Sequence, residues 1–122
     1  MGGGNFYVGR HTGMSGVSIT CRNNIHIGDD VLIGGGTVIM DSDMHSLDWH
    51  LRCTPGHDVI NAKCSPVIIG NNVFIGANCI IGKGVEIGDK SIIAAGSVVI
   101  KSIPPFSIAG GNPCKVIGVV SN

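Results

Sequence analysis

An all-β chain built as a parallel β-helix is what these 122 residues predict. Three observations carry the prediction. From Val67 to Ser102 the sequence repeats every six residues, as VIIGNN, VFIGAN, CIIGKG, VEIGDK, SIIAAG and SVVIKS. The third place of each hexad is Ile or Val (Ile69, Ile75, Ile81, Ile87, Ile93, Val99), and the place after it is mostly Gly. Ile and Val together supply about a quarter of the chain, whereas Leu occurs only at positions 32, 47 and 51. β-branched side chains suit a pleated surface and lose rotamer freedom in a helix. A six-residue apolar period fits neither an α-helix nor a free-standing amphipathic strand, and it is the mark of short strands stacked coil upon coil.

The elements follow in order within one domain, residues 1–122. Residues 1–20 open with MGGG and settle gradually into the repeat, so this edge is expected to be frayed. Residues 21–41 carry the first clear coil, with Ile27, Ile33 and Ile39 in phase. Residues 42–66 break the pattern and hold most of the His and the one Trp. Ile39 and Ile69 are thirty residues apart, five hexads, so this stretch reads as a loop leaving a continuing β-helix rather than a domain boundary. Residues 67–102 form two further coils, and residues 103–122 leave the repeat at Pro104-Pro105 as a short tail. Turns are expected at Gly70-Asn71-Asn72, Gly82-Lys83-Gly84 and Gly88-Asp89-Lys90, where Gly and Asn accept positive φ at low cost. Little helix is expected.

Composition excludes several roles. Formal net charge is zero and 13% of residues are charged, with no K/R-rich run, which argues against nucleic acid as a partner. No apolar stretch is long enough to span a bilayer, and no signal-peptide pattern opens the sequence. Five Cys without a CxxC pair suit a reducing cytoplasm, and Cys79 occupies an inward slot as a small hydrophobe. A solenoid of few coils leaves flat ends and apolar sides, so homo-oligomers are expected. A long irregular loop on a rigid prism is where function is expected.

Three stretches together resemble the left-handed β-helix acyltransferases: VLIGGGTVIMDSDMHSLDWHLR at 31–52, the hexads through Pro105, and AGGNPCKVIG at 109–118. The nearest branch is that of the galactoside and maltose O-acetyltransferases and their capsular and colanic acid relatives. The resemblance implies a left-handed helix, a homotrimer, and acetyl-CoA in the groove between two prisms as donor to a small hydroxyl acceptor, without a metal. It places the general base on His45 and donor contacts on Phe74, Ala77, Ala95, Gly96, Lys101 and Lys115. Phe74 falls where many relatives carry Trp, and Ala77 where some have Ser, which leaves a backbone N–H to help the thioester oxygen. The acceptor-binding Asn and Asp of the galactoside branch are replaced by MSGVSITCR, with Ser15 and Arg22 nearest, and that branch's amino-terminal helical segment has no counterpart.

Acyl transfer to an alcohol needs a base that is neutral near pH 7, and imidazole supplies one. His45 sits one hexad beyond Ile39, where the regular coil ends; the plainer reading is a loop His bound to a carbonyl. Asp41, Asp43 and Asp48 surround it, and one of them is expected to orient the ring, Asp43 being favoured through the D-x-D-x-H pattern. The alternative is a run of solvated turn carboxylates. Trp49 could stack on a sugar or anchor the loop. His26 is expected on the surface, His57 at a loop tip, and His11 and His50 carry no clear assignment. Lys101 next to the Pro-Pro exit suits a phosphate contact, ordinary exposure being the alternative. Two other functions stay open: a zinc enzyme like the γ-class carbonic anhydrases, given His45-x4-His50, and a non-catalytic assembly module.

Overall fold

The computed structural model describes residues 4–121. Their strands come in triplets: β1 (Asn5–Val8), β2 (Gly13–Met14) and β3 (Ser18–Thr20); β4 (Asn24–Ile27), β5 (Leu32–Ile33) and β6 (Val38–Met40); β7 (Val67–Ile69), β8 (Phe74–Ile75) and β9 (Ile80–Ile81); β10 (Glu86–Ile87), β11 (Ile92–Ile93) and β12 (Val98–Val99). Each triplet is one coil, and its members go to three different sheets. The first face is β1-β4-β7-β10, the third is β12-β9-β6-β3, and the second is β14-β13-β11-β8-β5-β2. The last two strands there, β13 (Ser107–Gly111) and β14 (Cys114–Val119), form the only antiparallel pair among the named strands. The hexad residues stack in register as expected, with Ile27 beside Ile69, Ile33 beside Ile75 and Ile39 beside Ile81. All of these are fully or nearly fully buried, and with Val31, Val67, Val73, Cys79 and Val85 they fill the prism.

Corner chemistry explains the period. The same corner, between first and second faces, recurs at His11, Asp30, Asn72, Lys90 and Phe106, all with φ between 56° and 62°. Beside it runs a ladder of side chains that cap the next coil: Arg10 N–H to Asp29 Oδ1, Asp29 N–H to Asn71 Oδ1 and Asn71 N–H to Asp89 Oδ1, each 2.8 Å. Gly28 and Gly70 precede these residues because a Cβ there would lie 2.4 Å and 2.2 Å from the capping oxygens of Asn71 and Asp89.

Two boundaries differ from the sequence expectation. Residues 5–20 already form a coil, in register with the next: Val8 beside Ile27, Met14 beside Ile33, Ile19 beside Ile39. The offsets here are 19, 19 and 20 residues instead of 18, so the extra turn residues hide the coil from a six-residue ruler. Phe6 and Val8 face inward but remain 48% and 37% exposed, because no described coil lies beneath them. At the other end the helix continues past Pro104-Pro105. Ile103 pairs with Ile87, and Ala109 stacks on Ile93 in complete burial, before β14 turns back. The offset of 16 residues again breaks the hexad count.

The excursion leaves the prism between β6 and β7 and returns in phase, as predicted. Its base is closed by a bridge between Ser42 and Cys64 and by Asp43 N–H donating to the Lys63 carbonyl at 3.0 Å. It contains one short helix, α1 (Trp49–Cys53), and a 3-10 turn at Val59–Asn61. Asp48 caps α1 by accepting from the His50 N–H at 2.9 Å. All five Cys are free thiols, including the exposed Cys53 and Cys64. Among the described residues no helix is long and apolar enough to cross a membrane.

Candidate active site

His45 follows Met44, whose φ of 66° turns the chain outward at the corner between the third and first faces. Its side chain is 66% exposed, and its Nδ1 lies 2.6 Å from Oδ2 of Asp58. The other oxygen of Asp58 accepts from the Ser46 N–H at 2.7 Å, so one carboxylate grips both the ring and the backbone beside it. Arg52 completes the clamp, its guanidinium donating to the Ser46 carbonyl at 3.0 Å. The hydrogen bond from His45 holds the Asp58 carboxyl below its ordinary value, helped by the Ser46 N–H and the nearby charges of His45 and Arg52. An ionised carboxylate only accepts, so the Nδ1 facing it carries the proton. Nε2 then presents its lone pair outward, the arrangement a general base requires.

Asp58 is the residue the sequence reading missed. Asp41, Asp43 and Asp48 were its candidates, and each is engaged elsewhere. Asp41 is fully buried and accepts from the backbone N–H groups of Arg22, Asn23 and Asn24, tying the excursion's base to the coil below. Asp43, the favoured one, pairs with Lys83 Nζ at 2.8 Å, and its second oxygen is buried without a hydrogen-bond partner among the described residues. Asp48 caps α1. The available signal was an acidic residue just beyond the Pro55-Gly56 reversal, where the returning limb comes back alongside the outgoing one.

The other predicted site residues divide between two corners. Ser15, Ala77, Ala95 and Gly96 share the corner between second and third faces, shown by Gly36 N–H to the Gly16 carbonyl, Asn78 N–H to Gly35 and Gly96 N–H to Ala77. Small side chains keep this corner open: an added Cβ on Gly96 would meet nothing within 4 Å. The N–H of Ala77 donates no hydrogen bond among the described residues. Phe74, 48% exposed, stands beside this corner in an outward apolar row with Leu32, Ile92 and Ile108. Lys115 joins the same corner from above, opposite Gly110, which packs on Ala94. Lys101 does not: it follows β12 at the corner of His45, one coil beyond Lys83. Trp49 is 60% exposed on α1 and stacks on His50 at 3.6 Å. His26 is exposed as expected and stacks on Tyr7. No three metal-capable side chains gather at one point among the described residues.

Prisms of stacked hexads recur among known acetyltransferases. The chain belongs to the hexapeptide-repeat acetyltransferases. Residues 66–101 match the family described as "Hexapeptide repeat of succinyl-transferase". The galactoside O-acetyltransferase of Escherichia coli K12 is 37% identical over 98% of this chain and 57% of its own length. The hexapeptide-repeat-containing acetyltransferase VCA0836 of Vibrio cholerae superposes with a TM-score of 0.83 at 33% identity, over 96% of this chain and 68% of that one. It has also been solved with acetyl coenzyme A. A galactoside acetyltransferase in complex with coenzyme A gives a TM-score of 0.75 at 30% identity, over 95% of this chain and 65% of that one. The chain therefore spans little more than half the length of the curated relative.

Proposed function

We propose that this chain is an acetyl-CoA-dependent O-acetyltransferase that moves an acetyl group directly to a hydroxyl of a sugar or similar small acceptor. The observation that carries the reading is the His45–Asp58 contact, which fixes a proton on Nδ1 and leaves Nε2 as an exposed base. Bound acetyl-CoA supplies the acetyl group as an activated thioester. Nε2 of His45 takes the proton of the acceptor hydroxyl as its oxygen attacks the carbonyl carbon. The bond to sulfur breaks, and the imidazolium returns its proton to the departing thiolate. The Ala77 N–H is available to steady the negative charge on the carbonyl oxygen. Asp58 balances the imidazolium while it exists, and no Cys is needed as a nucleophile.

The reading includes assembly into a homotrimer, and the spacing of the two corners supports that assembly. His45 and the Ala77–Ala95 corner lie at opposite edges of the third face, on the order of 15 Å apart by strand length. One chain cannot close both on one pair of reactants, whereas a neighbouring prism can bring its small-residue corner against His45. In such a groove, Phe74 and the corner would hold the pantetheine arm, with Lys101 of one prism and Lys115 of the next as cations for the phosphates. The Vibrio cholerae and galactoside relatives, solved with acetyl-CoA and CoA, support the donor.

His45→Ala tests the proposal in an assay of CoA release with hydroxylated acceptors. Loss of transfer by about 10²–10⁴-fold is expected, with CoA affinity by calorimetry unchanged. Activity within a few-fold of the parent would overturn it.

A further inference from the structure

The outgoing limb of the excursion leaves the corner between third and first faces at Ser42, which is buried and bridges Cys64 of the returning limb. Only Asp43 and Met44 then separate the prism wall from His45. The Asp43 N–H donates to the Lys63 carbonyl at 3.0 Å. The Met44 N–H donates to Ser42 Oγ at 2.9 Å, and the positive φ of Met44 delivers the chain to His45. The next coil closes over this root. The Ser65 N–H donates to the Asp41 carbonyl at 2.9 Å, and the Gly84 N–H to the Ser65 carbonyl at 3.2 Å. Lys83, just before Gly84, places its Nζ 2.8 Å from Asp43 Oδ1.

That ion pair joins the excursion to the regular coils, and both of its side chains are mostly covered. Asp43 meets the ammonium at Oδ1, while Oδ2 is buried without a hydrogen-bond partner among the described residues. Take the ammonium away and a covered carboxylate loses its cation, which favours its retreat into water. Such a retreat turns the backbone at Asp43, and the imidazole follows two residues later.

We propose that Lys83 is a positioning residue for the transfer: acting through Asp43, it fixes where the His45 ring stands relative to the prism. The proposal rests on the acetyl-transfer reading, in which a neighbouring prism holds the donor and the excursion carries the base. Asp58 then has a separate task. It sets the tautomer of the ring from within the excursion, whereas Lys83 sets the place of the excursion on the wall. A base displaced by about 1 Å can lose on the order of a hundredfold in rate, so this tie acts on the chemical step and leaves donor binding alone.

Lys83→Met removes the ammonium and keeps the aliphatic stem. With CoA release as the assay, kcat should fall by about tenfold to a hundredfold, with donor KM and CoA affinity by calorimetry unchanged. Lys83→Arg restores a cationic donor to Asp43 and should recover most of the rate. A crystal structure of Lys83→Met should show the His45 ring displaced by about 1 Å or more against superposed coils, with the Asp58 contact kept. Should Lys83→Met not fold, Lys83→Gln takes its place in both measurements. A parent-like kcat, a loss confined to donor KM, or a ring that superposes on the parent's overturns the proposal. The two readings fail separately. Transfer that survives His45→Ala sinks acetyl transfer through that base, while the crystal structure still decides what Lys83 holds. Transfer abolished by His45→Ala but indifferent to Lys83→Met does the reverse.

Discussion

Oδ2 of Asp58 sits 2.6 Å from Nδ1 of His45, across thirteen residues of irregular chain. The contact does two things an isolated loop imidazole cannot do for itself. It selects the tautomer with a bare Nε2, and it places a negative charge where the proposed transfer would form an imidazolium.

Asp58→Asn separates those effects from structure. An amide donor facing Nδ1 favours the opposite tautomer and blocks the base, so kcat should fall by on the order of 10²–10⁴. Steady-state rates, with CoA affinity as the control, check it.

Acid should loosen the excursion before it melts the prism. The Asp58 carboxyl titrates below its ordinary 3.8 because the hydrogen bond with His45 favours its charged form. A lowered native pKa means the contribution is present above the unfolded value and is lost as pH falls through the native one. Fluorescence of Trp49, the single Trp, should therefore change below pH of about 4, ahead of the loss of far-UV signal. In Asp58→Asn that early step should vanish.

Lys83 anchors the excursion to the next coil through Asp43, with both side chains only 33% and 24% exposed. Lys83→Met leaves a largely covered carboxylate without its cation, at a cost of about 1–3 kcal/mol. Asp43→Asn in the same background should recover part of that. Urea melts of the four proteins of this cycle give the coupling directly.

Ile81 is fully buried between Ile39 and Val99 in the third face's inward row. Ile81→Ala should cost about 2–5 kcal/mol, because stacked coils fixed by backbone ladders cannot collapse into the void. Ile81→Val should cost about 0.5–1.5 kcal/mol. Denaturant midpoints will rank them.

Ala95 is exposed on the small-residue corner, so Ala95→Trp fills the groove without touching the core. Melting should shift by no more than about 0.5 kcal/mol, while CoA affinity falls at least tenfold. Unchanged affinity would remove this corner from the donor site.

How much was legible follows from what repeats. Hexads Ile69 to Val99 announced three faces and their inward rows because each coil meets nearly the same neighbours above and below. Where a corner gains or loses residues, as between Val8 and Ile27 or Ile87 and Ile103, the stacking persists but the count fails. The ends were misplaced for that reason. The site was half legible. His45 stood out through its position where the repeat stops, but its orienting carboxylate did not.

The sequence by itself determined the coil, its period and the place where the chain leaves it, since those depend on contacts between residues at fixed spacing. Only the tertiary structure decided that Asp58 rather than Asp43 faces the imidazole, that Lys83 takes Asp43, and that His45 and Ala95 stand on different corners. Those pairings join segments with no shared period. They are set by how two limbs of one loop fold back on each other and on the wall behind them.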